Sequence, residues 1–157
     1  MSKPLKLILS VVVCLAVGIV GSVFTSPAIP TWYMSLNKPI FNPPNWIFGP
    51  VWSLLYILMG ISFYMIWEKR KKNKNAANAI KLFAVQLVLN AVWSPIFFGA
   101  KNLFLSLIVI IFMWFAILKT IRAFAKVNKT ASYLLYPYIA WVSFASVLNF
   151  SIWMLNK

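Results

Sequence analysis

Five apolar stretches, at about 5–25, 46–67, 80–99, 103–124 and 133–155, leave little of this 157-residue chain for anything else. Each holds about 20 residues, the length an α-helix needs to cross the hydrocarbon core of a bilayer. Lipid offers no partner to a free N–H or C=O, so each stretch has to satisfy its own backbone as a helix. A membrane β-barrel would need alternating segments of about ten residues instead, and the sequence has none. The expected fold is therefore all-α, a membrane-embedded bundle of five transmembrane helices in one domain over 1–157. Hydrophobic residues make up 62% of the chain, against about 45–50% in soluble domains, which points to the same solvent. The first stretch exceeds the roughly 7–15 residues of a signal-peptide core and reads as a retained span.

The connections differ in kind. Residues 26–45 contain Pro27, Pro30, Pro39, Pro43 and Pro44, and proline removes a backbone donor and clashes with the preceding helical turn. This segment is expected to be one long structured loop with a short helical turn around Thr31 to Leu36. Residues 68–79, EKRKKNKNAANA, read as a solvated basic turn, and Gly99 to Asn102 as a tight hairpin.

Charge is sorted by side. Fifteen Lys or Arg face a single acid, Glu68, and there is no His. The net charge of +14 flanks apolar spans and does not line an exposed helix, so no nucleic-acid partner is expected. Taking alternate connections, Lys3, Lys6, Lys69, Arg70, Lys71, Lys72, Lys74, Lys81, Lys119, Arg122, Lys126 and Lys129 share the N-terminal side, while only Lys38, Lys101 and Lys157 lie opposite. The positive-inside rule then places the N-terminus in the cytoplasm and the Pro-rich loop and C-terminus outside, in a multi-pass protein of a cell membrane. A missing or surplus span would mix the two sets, so the asymmetry supports the count of five.

Several chemistries are poorly provided for. Cys14 stands alone, so no metal-ligand set and no intramolecular disulfide is expected. Acid–base catalysis calls on groups held near a substrate, and the span interiors carry no acid. A proton-coupled exporter or channel generally needs an intramembrane ionisable residue, which leaves that reading the weakest.

What the spans do carry is aromatic and amide side chains in stripes. Cys14, Gly18 and Ser22, with Gly21 and Thr25 beside them, form a small-residue stripe suited to close helix packing. Trp52, Tyr56, Met59 and Phe63 share one face of the second span; Gln86, Asn90, Ser94 and Phe97, with Trp93 alongside, share one face of the third; Tyr138, Trp141, Ala145 and Asn149 do so on the fifth. At about 1.5 Å per residue, Trp52, Asn90, Ser94 and Asn149 fall within roughly 7–13 Å of the loop end of their spans, Tyr56 and Ala145 near 15 Å, and Trp141 near 21 Å. These side chains are expected to meet in one cavity beneath the Pro-rich loop. Aromatic faces stack on flat π-systems, and amides orient a carbonyl or carboxylate, so a planar, lipophilic, lightly polar ligand is implied. The competing reading is that Gln86, Asn90 and Asn149 only tie helices together, at about 0.6 kcal/mol per bond. Trp46, Trp67 and Trp153 lie near span ends, where an interfacial belt accounts for them.

The runs WYMSLNKPIFNPPNWIFGPVWSLLYILMG (32–60), QLVLNAVWSPIFFG (86–99) and PYIAWVSFASVLN (137–149) resemble the tryptophan-rich sensory protein family, the TspO/MBR or translocator protein (peripheral-type benzodiazepine receptor) family, across essentially the whole chain. The resemblance implies a five-helix bundle, often a homodimer, that binds protoporphyrin IX and benzodiazepine-type ligands as a sensor, regulator or transporter, with no required cofactor. It places pocket positions at Trp32, Phe41, Pro44, Trp52, Tyr56, Asn90, Trp93, Trp141, Phe144, Ala145 and Asn149, beside the Ser94 of the depth argument. Some family members degrade protoporphyrin in light, and in that alternative Trp52 and Trp141 would be the catalytic, ring-facing indoles. The animal sterol motif is incomplete here, with Phe150 and Met154 in place of its Tyr and Arg, which argues against cholesterol as a partner.

Overall fold

The computed structural model describes residues 1–157. Its helices are α1 (Lys3–Ala28), α2 (Phe48–Lys69), α3 (Ala76–Ser94), α4 (Leu103–Ala125), α5 (Lys129–Tyr133) and α6 (Tyr136–Leu155). With the short helical turns that extend them, they form five segments long and apolar enough to cross a membrane: Lys3–Tyr33, Asn45–Lys69, Ala76–Gly99, Leu103–Ala125 and Lys129–Leu155. The chain has no strand.

Proline acts differently at each site. The loop expected over 26–45 is helical through residue 35, so that the short turn expected around Thr31 to Leu36 is the end of the first span: α1 runs through Pro27 and continues in a π-helical turn, Ile29–Tyr33. Pro30 lies inside that turn, whose greater width relieves the clash of its ring with the turn before it, and the Thr31 hydroxyl adds a bond to the Pro27 carbonyl at 2.8 Å. Pro95 likewise passes α3 into a π-helical turn, Pro95–Gly99. The stretch expected as one helix over 133–155 is interrupted at Leu134 and Leu135, and α6 starts afresh with Pro137 in its first turn. There the missing proline N–H falls where a helix start leaves donors unpaired anyway.

The hairpin at Gly99 to Asn102 is tight. Lys101 takes φ 54°, a left-handed end to the third span, and the Asn102 side chain accepts from the Leu105 N–H at 2.9 Å to cap α4.

In the bundle α1 packs between α2 and α3, and α4 packs between α3 and α6, whereas α2 and α6 barely meet. The half of the bundle near the basic turns is solid. A Cβ on Gly60 would sit 2.5 Å from the Val11 Cα, so the α1 and α2 backbones touch, the close approach that small residues permit. Phe83 stacks between Phe63 and Phe124, with ring centroids 4.9 and 5.8 Å apart. The Ser62 hydroxyl donates to the Ala131 carbonyl at 2.6 Å and the Ser132 hydroxyl to the Ile121 carbonyl at 3.0 Å. These bonds fasten α5 to α2 and α4. Lys6 and Glu68 pair at 2.6 Å, joining the first turn of α1 to the last turn of α2.

At the opposite end, the Asn156 side chain works as a peptide group would. Its Oδ1 accepts from the Asn37 N–H at 3.0 Å and its Nδ2 donates to the Asn37 carbonyl at 2.8 Å. The Pro-rich loop is thereby held to the end of α6.

Candidate functional site: an aromatic cavity in the loop-side half

Where α1, α2, α3 and α6 approach the loop end they enclose a cavity of 510 Å³. Eight of the twelve residues singled out from sequence line it: Trp52 and Tyr56 from α2, Asn90, Trp93 and Ser94 from α3, and Trp141, Ala145 and Asn149 from α6. They converge because the i, i+4 spacing keeps each set on one face.

The other four lie outside its wall. Trp32 meets Phe97 edge-on at 5.8 Å. Phe41 is exposed and leans on Phe144 at 6.2 Å, and Phe144 in turn lies 5.4 Å from Trp141. Pro44 precedes the 3-10 turn Asn45–Ile47. No residue of 34–44 lines the cavity. The helical continuation of α1 carries Trp32 up to the end of α3, and the Asn37 to Asn156 clasp draws the loop over α6. The loop end is closed by a separate apolar cluster of Tyr33, Phe97, Leu148 and Ile152, with Trp32, Leu36 and Phe144 packed against it.

The amides serve as ties and as cavity wall together. The Tyr56 hydroxyl donates to Asn90 Oδ1 at 2.6 Å, Asn90 Nδ2 donates to the Tyr138 oxygen at 2.8 Å, and the Tyr138 hydroxyl donates to Gln86 Oε1 at 2.8 Å. This relay links α2, α3 and α6, with Tyr138 and Gln86 behind the wall. Trp93 Nε1 donates to Asn149 Oδ1 at 3.1 Å, and Asn149 Nδ2 donates to the Leu103 carbonyl at 3.1 Å. Each asparagine nitrogen carries two N–H groups, and these networks use one of each.

Two buried donors have no partner, Gln86 Nε2 and Trp141 Nε1. A buried N–H without an acceptor costs free energy, and only the indole of this pair belongs to the cavity wall. The remaining surface is aromatic. Trp52 stacks on Tyr56 at 5.6 Å, Trp93 stacks on Phe97 at 5.0 Å, and Phe48 meets Trp141 edge-on at 6.2 Å. Neither an acid nor a lysine lines the cavity. The site is thus equipped to stack a flat ring and to donate a few neutral hydrogen bonds.

Sequence reasoning overlooked the α1 wall. Gly18, Gly21, Ser22 and Thr25 were read as a packing stripe; a Cβ on Gly18 would indeed strike the Tyr56 ring at 2.6 Å, yet all four residues also border the cavity. A run of small residues opposite a face of large rings was the available signal, because small side chains there leave space unfilled. Trp46, read as part of an interfacial belt, is 73% exposed and lines the cavity's edge.

The TspO/MBR family model matches residues 10–154, which include every residue that lines the cavity. The chain belongs to the TspO/MBR family. Among TspO/MBR relatives, the tryptophan-rich protein TspO of Archaeoglobus fulgidus is 45% identical over 152 residues, 97% of each chain. That of Chlorobaculum tepidum is 46% identical over 156 residues, 97% of this chain and 96% of the relative. The human translocator protein is 38% identical over 138 residues, 87% of this chain and 82% of the relative. The protein is accordingly a multi-pass membrane member of the TspO/MBR family.

Proposed function

We propose that the cavity binds a planar, lipophilic, lightly polar ligand, with protoporphyrin IX as the first candidate and benzodiazepine-type compounds as competitors. In this reading the chain senses, regulates or transports porphyrin, with its N-terminus in the cytoplasm. The observation that carries it is the combination of a 510 Å³ cavity, within the roughly 300–1,000 Å³ of small-molecule sites, with indole and phenol rings and an unpartnered Trp141 N–H. Stacking supplies affinity without charge, and the idle indole donor suits an acceptor on the ligand.

Titration of the detergent-solubilised protein with protoporphyrin IX in the dark tests this. Saturable quenching of tryptophan fluorescence is expected, and Trp52→Ala and Asn90→Ala are expected to weaken it. Parent-like affinity in both variants would remove the cavity from the argument. Repeating the titration under illumination with oxygen separates binding from degradation. Replacing Trp52 and Trp141 with Phe is expected to slow any loss of porphyrin absorbance more than it weakens binding.

A further inference from the structure

The residues around the cavity are not equally covered. Those contributed by α3, α4 and α6 are all buried or half-buried. The exposed ones are confined to Ile19, Ser22 and Ser26 on α1 and to four positions within 45–53, at the start of α2. The opening therefore lies on the side of the bundle, between two helices.

The packing explains why it lies there. α1 and α2 are in backbone contact at Val11 and Gly60 and paired at Lys6 and Glu68, all toward the basic end. Toward the loop end a Cβ on Gly49 would meet no atom within 4 Å, so no side chain of α1 packs on α2 at that position. The axial route is occupied by the Tyr33, Phe97, Leu148 and Ile152 cluster, above which Asn156 holds the loop through both backbone groups of Asn37. By helical rise, Ser26 and Ile19 lie roughly 10 and 21 Å below the end of the first span at Tyr33, within the depth of a bilayer's hydrocarbon core.

We propose that this side opening is a portal through which the cavity exchanges its occupant with the bilayer, so that its ligands are molecules dissolved in the membrane and not in water. The proposal rests on reading the cavity as a ligand site. Small side chains at the rim, Ser22, Ser26, Gly49 and Ser53, let a flat molecule pass edge-on between the helices, and a lipophile already concentrated in lipid need not cross the polar loop.

Access can be measured without any porphyrin. Ala145 lies in the cavity wall; Ala145→Cys in the full chain, reconstituted in phosphatidylcholine vesicles, gives a target for pyrene maleimide, read above the background of the buried Cys14. Adding Ser22→Phe and Gly49→Phe is expected to slow labelling roughly tenfold, as a blocked approach slows association. Gly49→Ala, which leaves the gap open, is expected to keep the rate of the Ala145→Cys protein, and so is Asn156→Ala, which loosens the loop. A protein that labels equally fast with the two Phe side chains, that labels faster once Asn156 is lost, or whose cysteine never reacts overturns the portal. Loss of porphyrin binding in the dark titration overturns the ligand reading instead, and the two failures appear in separate assays.

Discussion

The two halves of this bundle are made from the same helices and do opposite things. Toward the basic end, α1 and α2 touch at Gly60, Phe83 sits between Phe63 and Phe124, and hydroxyls of Ser62 and Ser132 reach backbone carbonyls across helices. Toward the loop end, rings of comparable size stand around 510 Å³ of space. The difference lies in what faces the large side chains. In the solid half rings meet rings and backbone meets backbone; in the hollow half Trp52, Trp93 and Trp141 share the wall with Gly21, Ser22 and Ala145, whose small side chains fill little of the space. Close packing and open space are thus assigned to separate parts of one fold.

The sharpest way to break this contrast is to overfill the solid half. Gly60→Leu is expected to cost about 3 kcal/mol or prevent folding, since its Cβ would clash with the Val11 backbone and with Val11 Cγ2. Reversible unfolding in mixed micelles measures it, and a parent-like midpoint would show that α1 and α2 can separate freely. Tyr138→Phe strikes the boundary between the halves. It removes the hydroxyl that both accepts from Asn90 and donates to Gln86, and about 2 kcal/mol of stability should go with it.

In the hollow half the expected losses are of ligand, with stability spared. Trp52→Ala should weaken dark protoporphyrin binding roughly tenfold by removing a stacking face, with unfolding shifted less than for either variant above. Trp141→Phe tests the idle donor. Its N–H has no partner to lose, so the unliganded protein should unfold as the parent does while affinity drops roughly fivefold, the worth of a single neutral hydrogen bond. A drop in stability with affinity intact would reverse that assignment. Smallest of all, Glu68→Gln should leave the unfolding midpoint close to the parent's, since the Lys6 pair is partly solvated.

The stripes at Trp52, Asn90 and Trp141 were legible because i, i+4 spacing and helical rise are enough to place a residue by face and depth. The α1 wall was harder to read, since small residues are used equally for packing and for leaving space. Gly18 does the first against Tyr56 while Ser22, one turn on, borders the opening. Phe41 and Pro44 were expected at the pocket, yet the geometry of the loop depends on a contact between Asn37 and Asn156, 119 residues apart in sequence.

The sequence by itself determined that this chain crosses a membrane five times as helices, because lipid leaves the backbone no other way to satisfy its hydrogen bonds, and that its charges divide between two ends. Tertiary structure alone decided that α1 passes through Pro27, that the amides are spent on ties between helices, and that the cavity opens sideways between α1 and α2. Those features depend on which helices stand next to one another and how closely, and that is settled by side-chain volumes meeting across helices, which no pattern along a single helix records.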